Sequence, residues 1–131
     1  FIFVEDTVKG LLACAVNGKA GEVYNLASGV ETSIFELAKM INTFIGNQTP
    51  VDLRPARDWD RSGKRFGSVD KAREKLGFEA KVSLAEGLGR TITWTKHEQE
   101  NILRTMLTHS YFVPDVLRYV ETNNRGAENV R

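Results

Sequence analysis

Apolar residues along the chain fall into short runs and helical stripes separated by polar turns. Phe1-Ile2-Phe3-Val4 is a β-prone run ending at Glu5-Asp6, and Asp6 or Thr7 is placed to cap a following helix. Val8, Leu11, Leu12 and Ala15 form the apolar face of that helix, and Asn17-Gly18 stops it. Val23-Tyr24-Asn25-Leu26 reads as a short buried strand closed by Ala27-Ser28-Gly29. Ser33 and Glu36 then have the spacing of a capping box, in which hydroxyl and carboxylate each satisfy a first-turn N–H. Ile34, Leu37, Ala38, Ile41 and Ile45 line one side of the predicted helix, and Gly46 suits its left-handed end. Val51-Asp52-Leu53-Arg54 is a third strand candidate, ended by Pro55.

The stretch from Ala56 to Arg65 has no apolar period and reads as loop. A short helix is predicted over Asp70 to Leu76, stopped by Gly77. Ser83 and Glu86 repeat the capping-box spacing and open a helix carrying Leu84, Leu88, Ile92 and Thr95 inward. Ile102, Leu103, Met106 and Leu107 predict a further amphipathic helix. Pro114 suits the first turn of another, with Val116, Leu117 and Val120 apolar. The pattern is therefore mixed α/β and helix-rich, with few short strands. Three such strands make no self-sufficient sheet, and the chain opens inside one of them. A strand in that position needs a partner for its backbone groups, so the chain is expected to be part of a longer polypeptide.

Composition narrows the classes. The 131 residues suit one domain. Hydrophobic residues at 41% and charged residues at 27% are ordinary for a globular protein. Eighteen basic against 17 acidic residues leave a net charge of +1, which argues against nucleic acid as the main partner. No apolar run approaches the roughly 18 residues of a membrane span, so no membrane is expected and the location is read as cytoplasmic. The single cysteine, Cys14, excludes an internal disulfide and sits in an apolar run, where it reads as a small buried hydrophobe.

The loop from Arg57 to Arg65 concentrates the candidate chemistry. Arg57, Arg61, Lys64 and Arg65 stand among Asp58 and Asp60. A nucleoside diphosphate needs guanidinium forks for its oxygens and a carboxylate for a ribose hydroxyl, and both types are present. The alternative is a solvated loop whose charges pair with one another. Asp6 reads as a helix cap, Asn25 as an amide satisfying backbone at a sheet end, and Trp59 as a stacking or packing ring. His97 and His109 are too far apart, and too poor in acidic company, for a metal site.

Six strings in order carry a family resemblance. They are Phe1-Ile2-Phe3-Val4-Glu5-Asp6-Thr7-Val8, Gly21 through Gly29, Thr32 through Ala38, Pro55-Ala56-Arg57 with Asp60, Lys71 through Phe78, and Ser83 through Trp94. Together they resemble the last third of extended short-chain dehydrogenases/reductases of the NAD-dependent NDP-sugar epimerase/dehydratase family, UDP-glucose 4-epimerase-like members in particular. The resemblance covers about residues 1–100, the nucleotide-sugar-binding portion; residues 101–131 form a helical tail of unknown role with no counterpart in it. It implies a Rossmann half upstream that binds NAD and supplies a catalytic Tyr/Lys pair. None of the three tyrosines is followed by lysine at the required spacing, so no catalytic residue is assigned and the chain is expected to be inactive alone. The resemblance implies that Arg57 holds the diphosphate and that Asp60 orders the loop or meets the ribose. Arg61 and Arg65 are further substrate-binding candidates, and Asn25 lies toward the cofactor. The partner is then a nucleotide sugar, with epimerase, decarboxylase, dehydratase and reductase chemistry all open. The competing expectation is a non-catalytic module that forms a homo-oligomer or binds another protein through an unpaired apolar face.

Overall fold

The computed structural model describes residues 1–55, 58–59 and 66–109, and the backbone alone at His109. The chain divides into two units, Phe1–Arg90 and a second beginning at Thr91. Among the described residues there are five helices: α1 (Val4–Asn17), α2 (Ile34–Ile45), α3 (Asp70–Leu76), α4 (Leu84–His97) and α5 (Gln99–His109). No strand forms among them. The three strand expectations are thus corrected. Residues 1–3 precede α1 and carry no ladder, while Val23–Leu26 and Val51–Arg54 remain irregular. A strand is defined by the neighbour that accepts and donates along its edge, and these segments find none among the described residues.

The first unit is built on contact between α1 and α3. Ala72, Leu76 and Phe78 are buried, and Ile2, Ala13, Cys14, Tyr24, Leu26 and Ala80 pack around them. Cys14 is half-buried rather than enclosed. Gly10 lets this core close, because a β-carbon there would lie 2.8 Å from a Leu26 methyl and 3.0 Å from the Phe78 ring. At the far ends of both helices the Asn17 amide donates to the Leu76 carbonyl at 3.3 Å, satisfying one of the acceptors that a helix end leaves open. Gly77, with φ +65°, turns the chain out of α3.

α1 begins earlier than expected and presents a different face. Its N-cap is Phe3, and Glu5 and Asp6 lie in its first turn. Asp6 is therefore not the cap. It is fully buried, and its Oδ2 accepts from the backbone N–H groups of Lys81 (2.9 Å) and Val82 (2.8 Å). Asp6 and Gly10 are the buried residues of α1, whereas Val4, Val8, Leu11, Leu12 and Val16 are exposed. The most continuous apolar stripe of the helix thus faces away from the core.

α2 starts as expected. Ser33 Oγ accepts from the Glu36 N–H at 3.1 Å, and Glu36 Oε2 accepts from the Ser33 N–H at 2.8 Å. Gly46 closes the helix in the left-handed conformation. Leu37, Ala38 and Ile41 are half-buried, but Ile34 and Ile45 at the ends are exposed. At the start of α4 the hydroxyl half of the expected box is formed, with Ser83 Oγ accepting from the Glu86 N–H at 3.2 Å. Arg90 ties α4 to the start of α1. It pairs with Glu5, and its guanidinium sits 4.4 Å above the Phe3 ring.

In the second unit Ile92, Ile102, Leu103 and Met106 are half-buried, as their spacing predicts. Thr95 does not point inward: it is exposed, and its hydroxyl donates to the Thr91 carbonyl at 2.8 Å. A hydroxyl that can bond back onto its own helix has no need of a buried partner. Glu98 sits at the junction of the two helices and accepts from Asn101 Nδ2 at 2.6 Å. Hydrogen bonds from Asn101 and then His97 hold its carboxyl below the usual range. The expected helix after Pro114 lies outside the described residues.

Candidate functional site

The candidate loop is approached from both sides by described residues. On its upstream arm Arg54 pairs with Asp52 at 2.6 Å, both side chains exposed. Asp58 and Trp59 form a turn within it, and Trp59 is 74% exposed. Arg57, Asp60, Arg61, Lys64 and Arg65 lie outside the described residues.

The downstream arm is anchored. Asn25 Nδ2 donates to the Ser68 carbonyl at 3.3 Å, across 43 positions of sequence. A β-carbon built on Gly67 would come within 2.9 Å of Ala27 Cβ, so residues 25–27 and 67–68 run at backbone distance. Beyond them Ser68 Oγ donates to Asp70 Oδ2 at 3.2 Å, at the entry to α3. Asn25 does satisfy backbone, as its residue type suggests, but at an exposed loop arm and not at a sheet end. Its partner is three positions past Arg65. Sequence reasoning missed Ser68 and Gly67, and the only local signal was the small size of both residues.

The surface beside this arm is charged and internally paired. Lys71 Nζ meets Glu22 Oε2 at 2.6 Å and lies 5.0 Å from the Tyr24 ring centre. The Lys71 hydrogen bond lowers the Glu22 carboxyl below its ordinary range. The Tyr24 hydroxyl accepts from the Lys19 N–H at 3.2 Å. Among the described residues no group of three or more His, Cys, Asp or Glu side chains could hold a metal ion, and His97 Nδ1 lies 2.8 Å from Glu98 Oε1.

A dinucleotide pyrophosphate requires backbone N–H groups converging at the start of a helix. The glycines at 18 and 21 instead follow the C-terminal end of α1, and the Gly18 N–H is already bonded to the Cys14 carbonyl at 2.9 Å. The described residues therefore do not form an NAD pyrophosphate cradle. They also include no helix long and apolar enough to cross a membrane.

No protein-family model matches the chain. It is 30% identical over 100 residues to a UDP-glucose 4-epimerase of Mycolicibacterium smegmatis, covering 76% of this chain and 32% of that protein. It is 34% identical over 93 residues to UDP-glucuronic acid decarboxylase 1 of Arabidopsis thaliana, covering 71% of this chain and 21% of that one. Among solved structures, the Bordetella bronchiseptica enzyme WbmF in complex with NAD+ and UDP matches with a TM-score of 0.74 and 53% identity, over 88% of this chain and 34% of WbmF. An epimerase from Methanothermobacter thermautotrophicus matches with a TM-score of 0.74 and 44% identity, over 79% of this chain and 31% of that structure. The chain thus spans from about a fifth to a third of the length of these relatives. Likeness in sequence and likeness in three dimensions meet on the same group of enzymes: the chain belongs to the NAD-dependent nucleotide-sugar epimerase/dehydratase family.

Proposed function

We propose that this chain is the nucleotide-sugar-binding portion of an NAD-dependent enzyme that transforms the sugar of an NDP-sugar. The loop around Arg57 receives the diphosphate. In this reading Arg57 forks onto the phosphate oxygens, Arg61 and Arg65 add positive charge, and Asp60 orders the loop or accepts from a ribose hydroxyl. Asn25 holds the downstream arm at Ser68. NAD and the acid–base pair belong to polypeptide beyond the third of the family length represented by these residues. The chain alone binds and does not turn over.

The observation that most supports this is the likeness to WbmF, a structure that contains UDP, at 53% identity over 88% of the chain. Among the activities of the relatives, 4-epimerisation of a UDP-sugar is the first candidate. Decarboxylation and dehydration are the variants that the other relatives' names suggest.

Comparison of UDP with uridine tests the reading. A diphosphate site binds UDP at least about tenfold more tightly than uridine, since each charge-assisted hydrogen bond to phosphate contributes about 1.5–3 kcal/mol. Equal affinity for the two would remove the diphosphate from the account.

A further inference from the structure

Residues 25–29 run beside residues 67–69 and approach them closely at three points. Asn25 Nδ2 donates to the Ser68 carbonyl at 3.3 Å. A β-carbon on Gly67 would lie 2.9 Å from Ala27 Cβ, and one on Gly29 would lie 3.3 Å from a Val69 methyl. Gly67 is not among the glycines with positive φ, so it is needed here for space and not for backbone conformation. Carbon atoms that are not bonded settle about 3.5–4.0 Å apart, and two methyl groups cannot share 2.9 Å. Ala27 Cβ is fixed to its own backbone and has no torsion with which to step aside. A methyl at position 67 therefore parts the two backbones.

The two sides of this contact are not equally held. Tyr24 and Leu26, which flank Asn25, pack against the buried Ala72, Leu76 and Phe78. On the other side Phe66 is exposed, and the chain before it is the Arg57–Arg65 stretch. Displacement falls on the side without core packing, and that side leads into the loop.

We propose that Gly67, matched in size to Ala27, is a positioning residue for the nucleotide-sugar site: their close approach fixes where the loop rejoins the folded body. The inference rests on the diphosphate reading of the loop and adds to it a residue that touches no ligand. Arg65 precedes Gly67 by two positions in sequence. Sites built from positioned groups tolerate little movement, and about 1 Å of misplacement is enough to cost about 100-fold. Exchange of a single hydrogen for a methyl at position 67 is then felt by the diphosphate.

Affinities for UDP and for uridine, measured by titration calorimetry on the 131-residue chain, test the proposal. In Gly67→Ala the preference for UDP over uridine is expected to fall at least about tenfold, the loss of one charge-assisted hydrogen bond to phosphate. Ala27→Gly in the same chain removes the opposing methyl and restores the preference. A general loss of stability would not give that rescue, because a second truncation adds to it unless the two sites are in contact. The Trp59 indole N–H resonance supplies a readout without ligand, eight positions from the substitution. It is expected to move in Gly67→Ala and to return in the double variant. Undiminished UDP preference in Gly67→Ala, or a loss that Ala27→Gly does not relieve, would overturn the proposal. If the wild-type chain binds UDP and uridine equally, the diphosphate reading falls, and the resonance alone decides the positioning of the loop: an unmoved Trp59 signal overturns it. Should Gly67→Ala lose its helical circular dichroism, the double variant decides. Recovered helicity and UDP preference support the size match, and an unfolded double variant overturns it.

Discussion

Asp6 carries more structural consequence than its place in the first turn of a helix suggests. Acidic residues are favourable there because the helix N-terminus is electropositive, and that alone would account for its presence. Its burial adds a second role. One oxygen receives two backbone N–H groups from Lys81 and Val82, immediately before α4, while Lys9 Nζ stands 3.8 Å from the other. Backbone donors in that position cannot be left empty without cost. Asp6→Ala is therefore expected to destabilise the chain by about 3 kcal/mol, and Asp6→Asn, which keeps an acceptor, by about half as much. Urea unfolding measures both; a loss below about 0.5 kcal/mol for Asp6→Ala would mean that water replaces the carboxylate at no penalty. This role was not legible in the sequence. A capping carboxylate and a buried clamp have the same residue type and nearly the same position, and the partners lie 75 and 76 residues away.

Elements whose ends are decided locally were legible. α2 and α4 both begin where a serine precedes a glutamate by three positions, and α2 and α3 both end at a left-handed glycine. Each signal acts within about one turn, so no distant partner is needed to realise it. Ser33→Ala is expected to cost about 1 kcal/mol of stability, seen as a lower urea midpoint with reduced helicity. The cap also has a pH signature. Hydrogen bonds from the Ser33 backbone and then its side chain lower the Glu36 carboxyl below its ordinary value of 4.5. A carboxyl lowered in the folded state adds stability above pH 4.5 and loses that contribution as pH falls through the folded value. The Glu36 carboxyl carbon should accordingly titrate in NMR spectra with a midpoint below 4.5. A midpoint at or above it would show that the box does not form in solution. Strands were not legible in the same way, because β-propensity describes a segment while a ladder requires its neighbour. α1 shows a third case. Periodicity identifies which side of a helix is apolar, but when both sides are apolar it does not say which one meets the core.

At the scale of the whole molecule, the chain belongs to the NAD-dependent nucleotide-sugar epimerase/dehydratase family and spans about a fifth to a third of its relatives' length. Motif order over about residues 1–100 points to the family, and the likeness to WbmF and to the epimerase of Methanothermobacter thermautotrophicus bears it out. The site is less legible than the family. Asn25 can be followed to its partner Ser68, whereas Arg57, Asp60, Arg61 and Arg65 lie outside the described residues, so their roles rest on chemistry and resemblance. Isothermal titration of UDP against the wild-type chain, Arg57→Ala and Arg54→Ala tests the central claim most directly. Arg54 serves as control because its side chain is already paired with Asp52. Saturable one-to-one binding is predicted, weakened about 10- to 100-fold by Arg57→Ala and little changed by Arg54→Ala. Absence of saturable binding, or equal affinity in all three proteins, would contradict the assignment of a diphosphate site to this loop.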